Sequence, residues 1–282
     1  MAGATLLLLA FFLPAFAQKD KKVLPAGPLM TRTTTRHESA RLRYGGTVTI
    51  SGAPAGSIRI EGWDRNEVDV MATIELQAPT GADLDRLATL NSFMFDEDVN
   101  HIRILTTGTH DRAFMKRVAK NFPKTLLGLP WKIDYVIKMP AITDLAVDAG
   151  VGPISISGVE GALRLNALSS DADLSLTGGL VQVLIQTGKL NLKIPARSWH
   201  GLGSEFRVAT GNMVVELVPG FNADINADVL RTGQIKNTFP DLQAVSHNSM
   251  QSNSIRARAG SGGATFNFTV GDGTIEIKQT GP

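Results

Sequence analysis

From Arg41 onward the chain alternates between apolar and polar residues in short bursts. Val48 and Ile50, Ile58 and Ile60, and Val68 and Val70 are apolar at i and i+2, with a polar residue between. That spacing puts the apolar pair on one face of a half-buried strand. Gly45-Gly46, Gly56, Gly62, Asp64 and Asn66 punctuate the series as turns. The second half repeats the pattern at Ile154/Ile156, Leu163/Leu165, Leu174/Leu176, Val181/Val183, Leu190/Leu192, Phe206/Val208, Met213/Val215 and Ile275/Ile277. Several pairs follow a glycine after one intervening residue, as in Gly188-Lys-Leu-Asn-Leu, Gly211-Asn-Met-Val-Val and Gly273-Thr-Ile-Glu-Ile. Glycine suits a corner that needs positive φ or no Cβ.

A short strand burying two aliphatic side chains cannot offset its own ordering entropy. Stacked on copies of itself, it gains hydrogen-bond partners on both sides and a continuous aliphatic ladder. The expected fold is therefore all-β: a single-domain β-solenoid, a β-helix-like stack of short strands, with one or two short helices inserted in the N-terminal half. A sandwich of the same strands is the alternative, because spacing alone does not separate coiling from hairpins.

Two stretches break the alternation near the N-terminal half. Leu84, Leu87, Ala88 and Asn91 have helical spacing after Thr80 or Asp83 as a cap. Phe114, Val118 and Phe122 define another helical face, with Arg112, Lys116, Arg117, Lys120 and Lys124 around it and Pro123 as a limit. Together they make a helical and basic insertion at about 80–128. A third break, Phe239 to Ser254, reads as a loop.

The N-terminus resembles a cleavable leader. Thr5 to Phe12 is an apolar run, followed by Ala15-Phe16-Ala17. The expected organisation is a signal peptide at 1–17, a flexible linker at 18–40 carrying Lys19, Lys21 and Lys22, and the repeat domain at 41–282. The chain is then exported, to the periplasm or beyond. It has no cysteine, so no disulfide and no lipid anchor is expected, and no stretch has the length of a transmembrane helix. A net charge of +2 gives no overall footprint for nucleic acid.

The unit Gly56-Ser-Ile-Arg-Ile60, followed by Glu61-Gly62-Trp63-Asp64 and Val68-Asp-Val70, resembles the bacterial "putative adhesin" family of exported β-strand-repeat proteins. So do Tyr135-Val-Ile-Lys-Met-Pro140 and Gly152-Pro-Ile-Ser-Ile-Ser-Gly158, and the closing Gly273-Thr-Ile-Glu-Ile277. The resemblance covers roughly Arg41 to Lys278. It implies an exported β-solenoid without established catalytic residues.

Candidate chemistry is sparse. No nucleophile elbow, phosphate loop or dinucleotide fingerprint is present. The five histidines are scattered without metal-ligand spacing, so neither a metal nor a cofactor is expected. Asp171 and Asp173 would share a strand face about 6 to 7 Å apart, near the separation used in glycoside hydrolysis. They equally suit a solvated corner between strands. The basic stretch Arg112 to Lys124 has two readings: a cap over the end of the stack through Phe114, Val118 and Phe122, or a contact element for an anionic surface or partner. Arg59, Ser155, Arg164, Ser175, Asn191 and Lys193 are expected to face outward. The function expected is a non-catalytic adhesion, scaffolding or envelope-associated binding module, its partner a cell-envelope protein, a glycan or an anionic membrane surface. A carbohydrate-active enzyme on a β-helix and a regulatory protein linked to an anti-sigma factor are the alternatives.

Overall fold

The computed structural model describes residues 27–247 and 249–280. The leader-like run and its cleavage site lie outside these residues. The first half contains β1 (Met30–Arg41), β2 (Thr47–Ala55), β3 (Ile58–Trp63), β4 (Glu67–Ala78), α1 (Gly81–Ala88), β5 (Ser92–Asp98), β6 (His101–Thr107), α2 (Arg112–Val118) and β7 (Trp131–Pro140). A 3-10 turn at Lys124–Leu126 follows α2. The second half contains β8 (Asp144–Val151), β9 (Ile154–Ser157), β10 (Ala162–Ser175), β11 (Gly178–Ile194), β12 (His200–Leu217), β13 (Ala223–Asn237), β14 (Leu242–Ala244), β15 (Ser254–Ala259) and β16 (Thr265–Gln279). The described residues are all-β apart from the two short helices, and their strands form one hydrogen-bonded sheet.

The middle of that sheet is parallel and in register. β8 and β9 pair with β10, then β10 with β11 and β11 with β12. From β8 and β9 through β10 to β11 the chain returns to the same position 18 residues later, as in the Asp148–Asn166 and Asp173–Asn191 pairs. Equivalent side chains therefore line up. Ile58, Ile154, Ala172, Leu190, Met213 and Ile275 form one row, and Ile60, Ile156, Leu174, Leu192, Val215 and Ile277 a second. Val147, Leu165, Val183, Phe206 and Phe268 form a row on the other side of the bend. All belong to one contiguous buried cluster. The aliphatic pairs visible in the sequence are the rungs of these rows.

Within a single long strand the buried positions change phase. In β11 they are Val181, Val183 and Ile185, then Leu190, Leu192 and Ile194. The chain turns a corner between the two sets, and Gly188 sits there with φ of 135°. Register places Gly56, Gly152, Ser170, Gly188, Gly211, Gly273 and Gly233 in one column along this corner. Every glycine in it has positive φ. At Gly211 an added Cβ would lie 1.7 Å from the Gly188 carbonyl oxygen. The one non-glycine member, Ser170, uses its hydroxyl to donate to the Gly152 carbonyl at 2.7 Å.

Both ends of the parallel run finish in antiparallel strands. At one end β1 pairs with β4 and β4 with β7, while β5 pairs with β6. At the other, β13 pairs with β15 and β15 with β14. The last strand, β16, lies between β12 and β13 and is parallel to both. Its Phe266, Phe268, Val270, Ile275 and Ile277 are fully buried.

Three expectations need correction. The part of the expected linker from Met30 onward is a 12-residue strand paired with β4 along its whole length. It has almost no buried side chain, so apolar alternation could not reveal it; its Thr33-Thr34-Thr35 run has β propensity instead. The insertion at about 80–128 is not helical throughout: its strand-like Ile102 and Ile104 lie, as their spacing suggests, on β6, which pairs in parallel with β2 and sets them against Val48 and Ile50. The expected loop from Phe239 to Ser254 contains the short strand β14. The α1 helix forms where its spacing put it, with Thr80 Oγ1 accepting from the Asp83 amide at 3.1 Å and Leu84 and Leu87 buried.

The corner column makes a paired prediction. Gly211→Ala should destabilise by more than about 3 kcal/mol, because a strained φ alone costs about 1–3 kcal/mol and the Cβ also meets backbone. Gly81→Ala, with open space at its Cβ, should change stability by less than about 1 kcal/mol. Urea unfolding of both variants measures the contrast; equal effects would contradict the corner. Leu192→Ala, fully buried in the middle of its row, should cost about 2–5 kcal/mol in the same assay.

Candidate functional site

The basic segment leaves the sheet after β6 and returns at β7. Asp111 starts α2, its Oδ1 accepting from the amides of Ala113 at 2.8 Å and Phe114 at 3.0 Å. The helix lasts seven residues, and its C-cap Ala119 leaves helical geometry with φ −140° and ψ 51°. Pro123 then opens the 3-10 turn. Met115, Leu126 and Leu129 are buried and Phe122 is partly so, which ties the segment to the protein.

The cap reading does not hold as expected. Val118 is 50% exposed, and Phe114 and Phe122 are only partly buried. The stripe Phe114–Val118–Phe122 requires a continuous helix, and α2 stops at Val118. The helix that packs against the terminal strands is α1: Arg32 of β1 donates to Asp85 at 2.7 Å, and Leu84 and Leu87 are buried beneath it.

Arg112, Lys116, Arg117, Lys120 and Lys124 are all exposed. Among the described residues none of the five forms an ion pair. The nearby carboxylates are engaged elsewhere: Asp83 with Arg86 at 3.4 Å and Asp85 with Arg32 at 2.7 Å. Two grooves flank the helix. One, of about 860 Å³, runs between α1 and α2 and joins Arg117 and Lys120 to Leu90, Val118, Phe122 and Pro123. The other, of about 420 Å³, joins Lys116, Lys120 and Lys124 to Met115, Phe122 and Leu127. Each combines apolar side chains with cations, and the first also includes Asp85 and Arg86 of α1. The sequence showed the cations but not the α1 side of the first groove, because Arg86 and Leu90 belong to a separate periodic segment.

Asp171 and Asp173 lie on β10 and both are exposed. Asp171 Oδ1 accepts from the Lys189 amide at 3.0 Å, and Asp173 Oδ1 accepts from Asn191 Nδ2 at 2.6 Å. Both carboxylates hold β10 to β11. Asp173 also lines a shallow groove of about 530 Å³ with Lys189, Lys193, Glu216 and Lys278, whereas Asp171 does not. The expected outward residues Arg59, Ser155, Arg164, Ser175, Asn191 and Lys193 occupy outward positions, Ser155, Ser175 and Asn191 half-buried among their neighbours. Arg59, Ser155, Asp173 and Asn191 stand in one cross-strand row.

Other chemistry-bearing residues have local partners. Trp63 donates to the Glu67 carbonyl at 2.8 Å and Trp199 to the Gly179 carbonyl at 3.0 Å, while Trp131 stacks near His110. The Tyr135 hydroxyl is buried against Thr106 at 2.8 Å, and that burial raises its pKa above the ordinary tyrosine value. Among the described residues no group of three or more His, Cys, Asp or Glu is placed to hold a metal ion. No described helix is long and apolar enough to cross a membrane.

No family model matches the chain. No curated protein matches it either. Solved structures do. One is a "putative cell adhesion protein" from Clostridium sporogenes, 12% identical, with a TM-score of 0.44, covering 88% of this chain and 100% of that one. Another is a "putative adhesin" from Bacteroides fragilis, 11% identical, with a TM-score of 0.28 and coverage of 88% and 97%. A third, from Parabacteroides distasonis, is called a "putative lipid binding protein"; it is 10% identical, with a TM-score of 0.24 and the same coverage. Two of the three carry the adhesin or adhesion name of the family that the strand units resemble.

The strand-bridging role of the aspartates sets a test. Asp171→Ala and Asp173→Ala should each lower stability by up to about 1 kcal/mol, the net worth of one exposed hydrogen bond. Urea unfolding measures it; a gain in stability on removing either carboxylate would contradict the bridging role.

Proposed function

We propose that this chain is an exported, non-catalytic β-solenoid that works as a binding module of the bacterial envelope. The stacked rows supply a rigid scaffold, and the segment Arg112–Lys124 is its contact element. One observation carries this reading: five exposed cations share a short segment, and among the described residues none of them forms an ion pair with a carboxylate. Unpaired like charges repel one another, so a folded protein retaining five of them together leaves them to an external anion. The segment is anchored by Met115, Leu126 and Leu129, so it presents its charges without unfolding cost.

The export half of the proposal rests on the leader-like sequence at residues 1–17 and on the adhesin resemblance. The non-catalytic half is supported by the structural engagement of Asp171 and Asp173.

Sedimentation of the purified chain with isolated bacterial envelope fractions tests the contact element. The variant Arg112→Glu/Lys116→Glu/Lys124→Glu should lose most of the bound fraction while keeping the wild-type circular dichroism. Undiminished binding by the folded variant would overturn the assignment of this segment.

A further inference from the structure

We infer that the groove between α1 and α2 seats the anionic headgroup of a membrane lipid, with Val118 and Leu127 entering the boundary between headgroups and acyl chains. This rests on the reading of Arg112–Lys124 as the contact element and gives that element its ligand.

Charge comes first. Asp83 and Asp85, the carboxylates of α1, already have arginine partners at 3.4 and 2.7 Å. Arg117 and Lys120 line the groove without an ion-pair partner, in company with Asp85 and Arg86 of α1, and Lys116 and Lys124 are likewise unpaired on the other flank. A phosphate in this groove would meet Arg117 and Lys120 from the α2 side and Arg86 from α1.

Charge alone would suit any polyanion. The apolar component narrows the choice. Val118 is 50% exposed and Leu127 38% exposed, on the same short segment as the cations. Leu90, Phe122 and Pro123 continue the apolar floor inside the groove. A soluble glycan or nucleic acid, covered in hydroxyls or phosphates, offers exposed aliphatic side chains no continuous apolar medium. A lipid surface does: cations sit at the headgroups while neighbouring aliphatics lie a few ångströms deeper. The volume of about 860 Å³ is ample for a headgroup.

Vesicle co-sedimentation of the whole chain tests this. The probes are phosphatidylcholine vesicles with and without about 30% phosphatidylglycerol. The wild type should bind the anionic vesicles and pass the neutral ones. Lys116→Gln/Arg117→Gln/Lys120→Gln should weaken partition on the order of a hundred-fold, about fivefold for each cation removed. Val118→Ser/Leu127→Ser keeps every charge; at about 0.5 M NaCl, where surface charge is screened, it should weaken the residual binding roughly tenfold. None of the substituted positions is buried, so both variants should fold, and circular dichroism checks it. Charge-dependent binding to envelope fractions without binding to anionic vesicles would overturn the lipid inference and leave the binding module standing. Unchanged high-salt binding by Val118→Ser/Leu127→Ser would overturn apolar entry. Competitive release by millimolar inorganic phosphate would identify a pocket for free anions and overturn it too.

Discussion

The structure depends on a corner that is turned, at all but one rung, by a residue without a Cβ. At that corner the backbone carbonyl of one rung points at the α-carbon of the next, close enough that a methyl group has no room. Because the strands stack in register, the same demand recurs along one line, and glycine meets it from Gly56 to Gly233 except at Ser170. The corner sets the phase change within each long strand. That phase change keeps aliphatic side chains inside on both sides of the bend, and the register then stacks them. Without the corner, half of each strand's apolar residues would face water.

Much of this was legible in the sequence because two signals coincide. A pair such as Leu190/Leu192 fixes a buried face, and the glycine before it, Gly188, fixes where the face changes. The order of strands was not legible. Nothing in Thr265–Gln279 says that it lies between β12 and β13 and not beyond them, since parallel pairing is specified by side-chain fit across strands and leaves no local mark. The strand β1 was invisible for another reason. It lies at the edge of the sheet, buries little, and is held by backbone hydrogen bonds to β4 that any side chains permit.

The candidate site shows the same division. Its cations could be read directly. Their surroundings could not, because the apparent stripe of Phe114, Val118 and Phe122 assumes a helix longer than the one that forms. Ending α2 at Val118 releases that valine to the surface and hands Phe122 to the following turn. What looked like an inward cap is thus a segment with both cations and an aliphatic side chain outside. Asp171 and Asp173 make the converse point. Two carboxylates on one strand face resemble a catalytic pair by spacing, yet each accepts a hydrogen bond from the adjoining rung, as the outer faces of stacked strands require.

If the corner column and aliphatic rows form one continuous structure, the last strand is an interior member of the stack and not a peripheral addition. Hydrogen exchange resolved by residue tests this directly. The amides of β16 should be protected to the same degree as those of β11 and β12, opening with them in one cooperative step. Fast exchange across β16 while β11 and β12 stay protected would contradict the continuous stack.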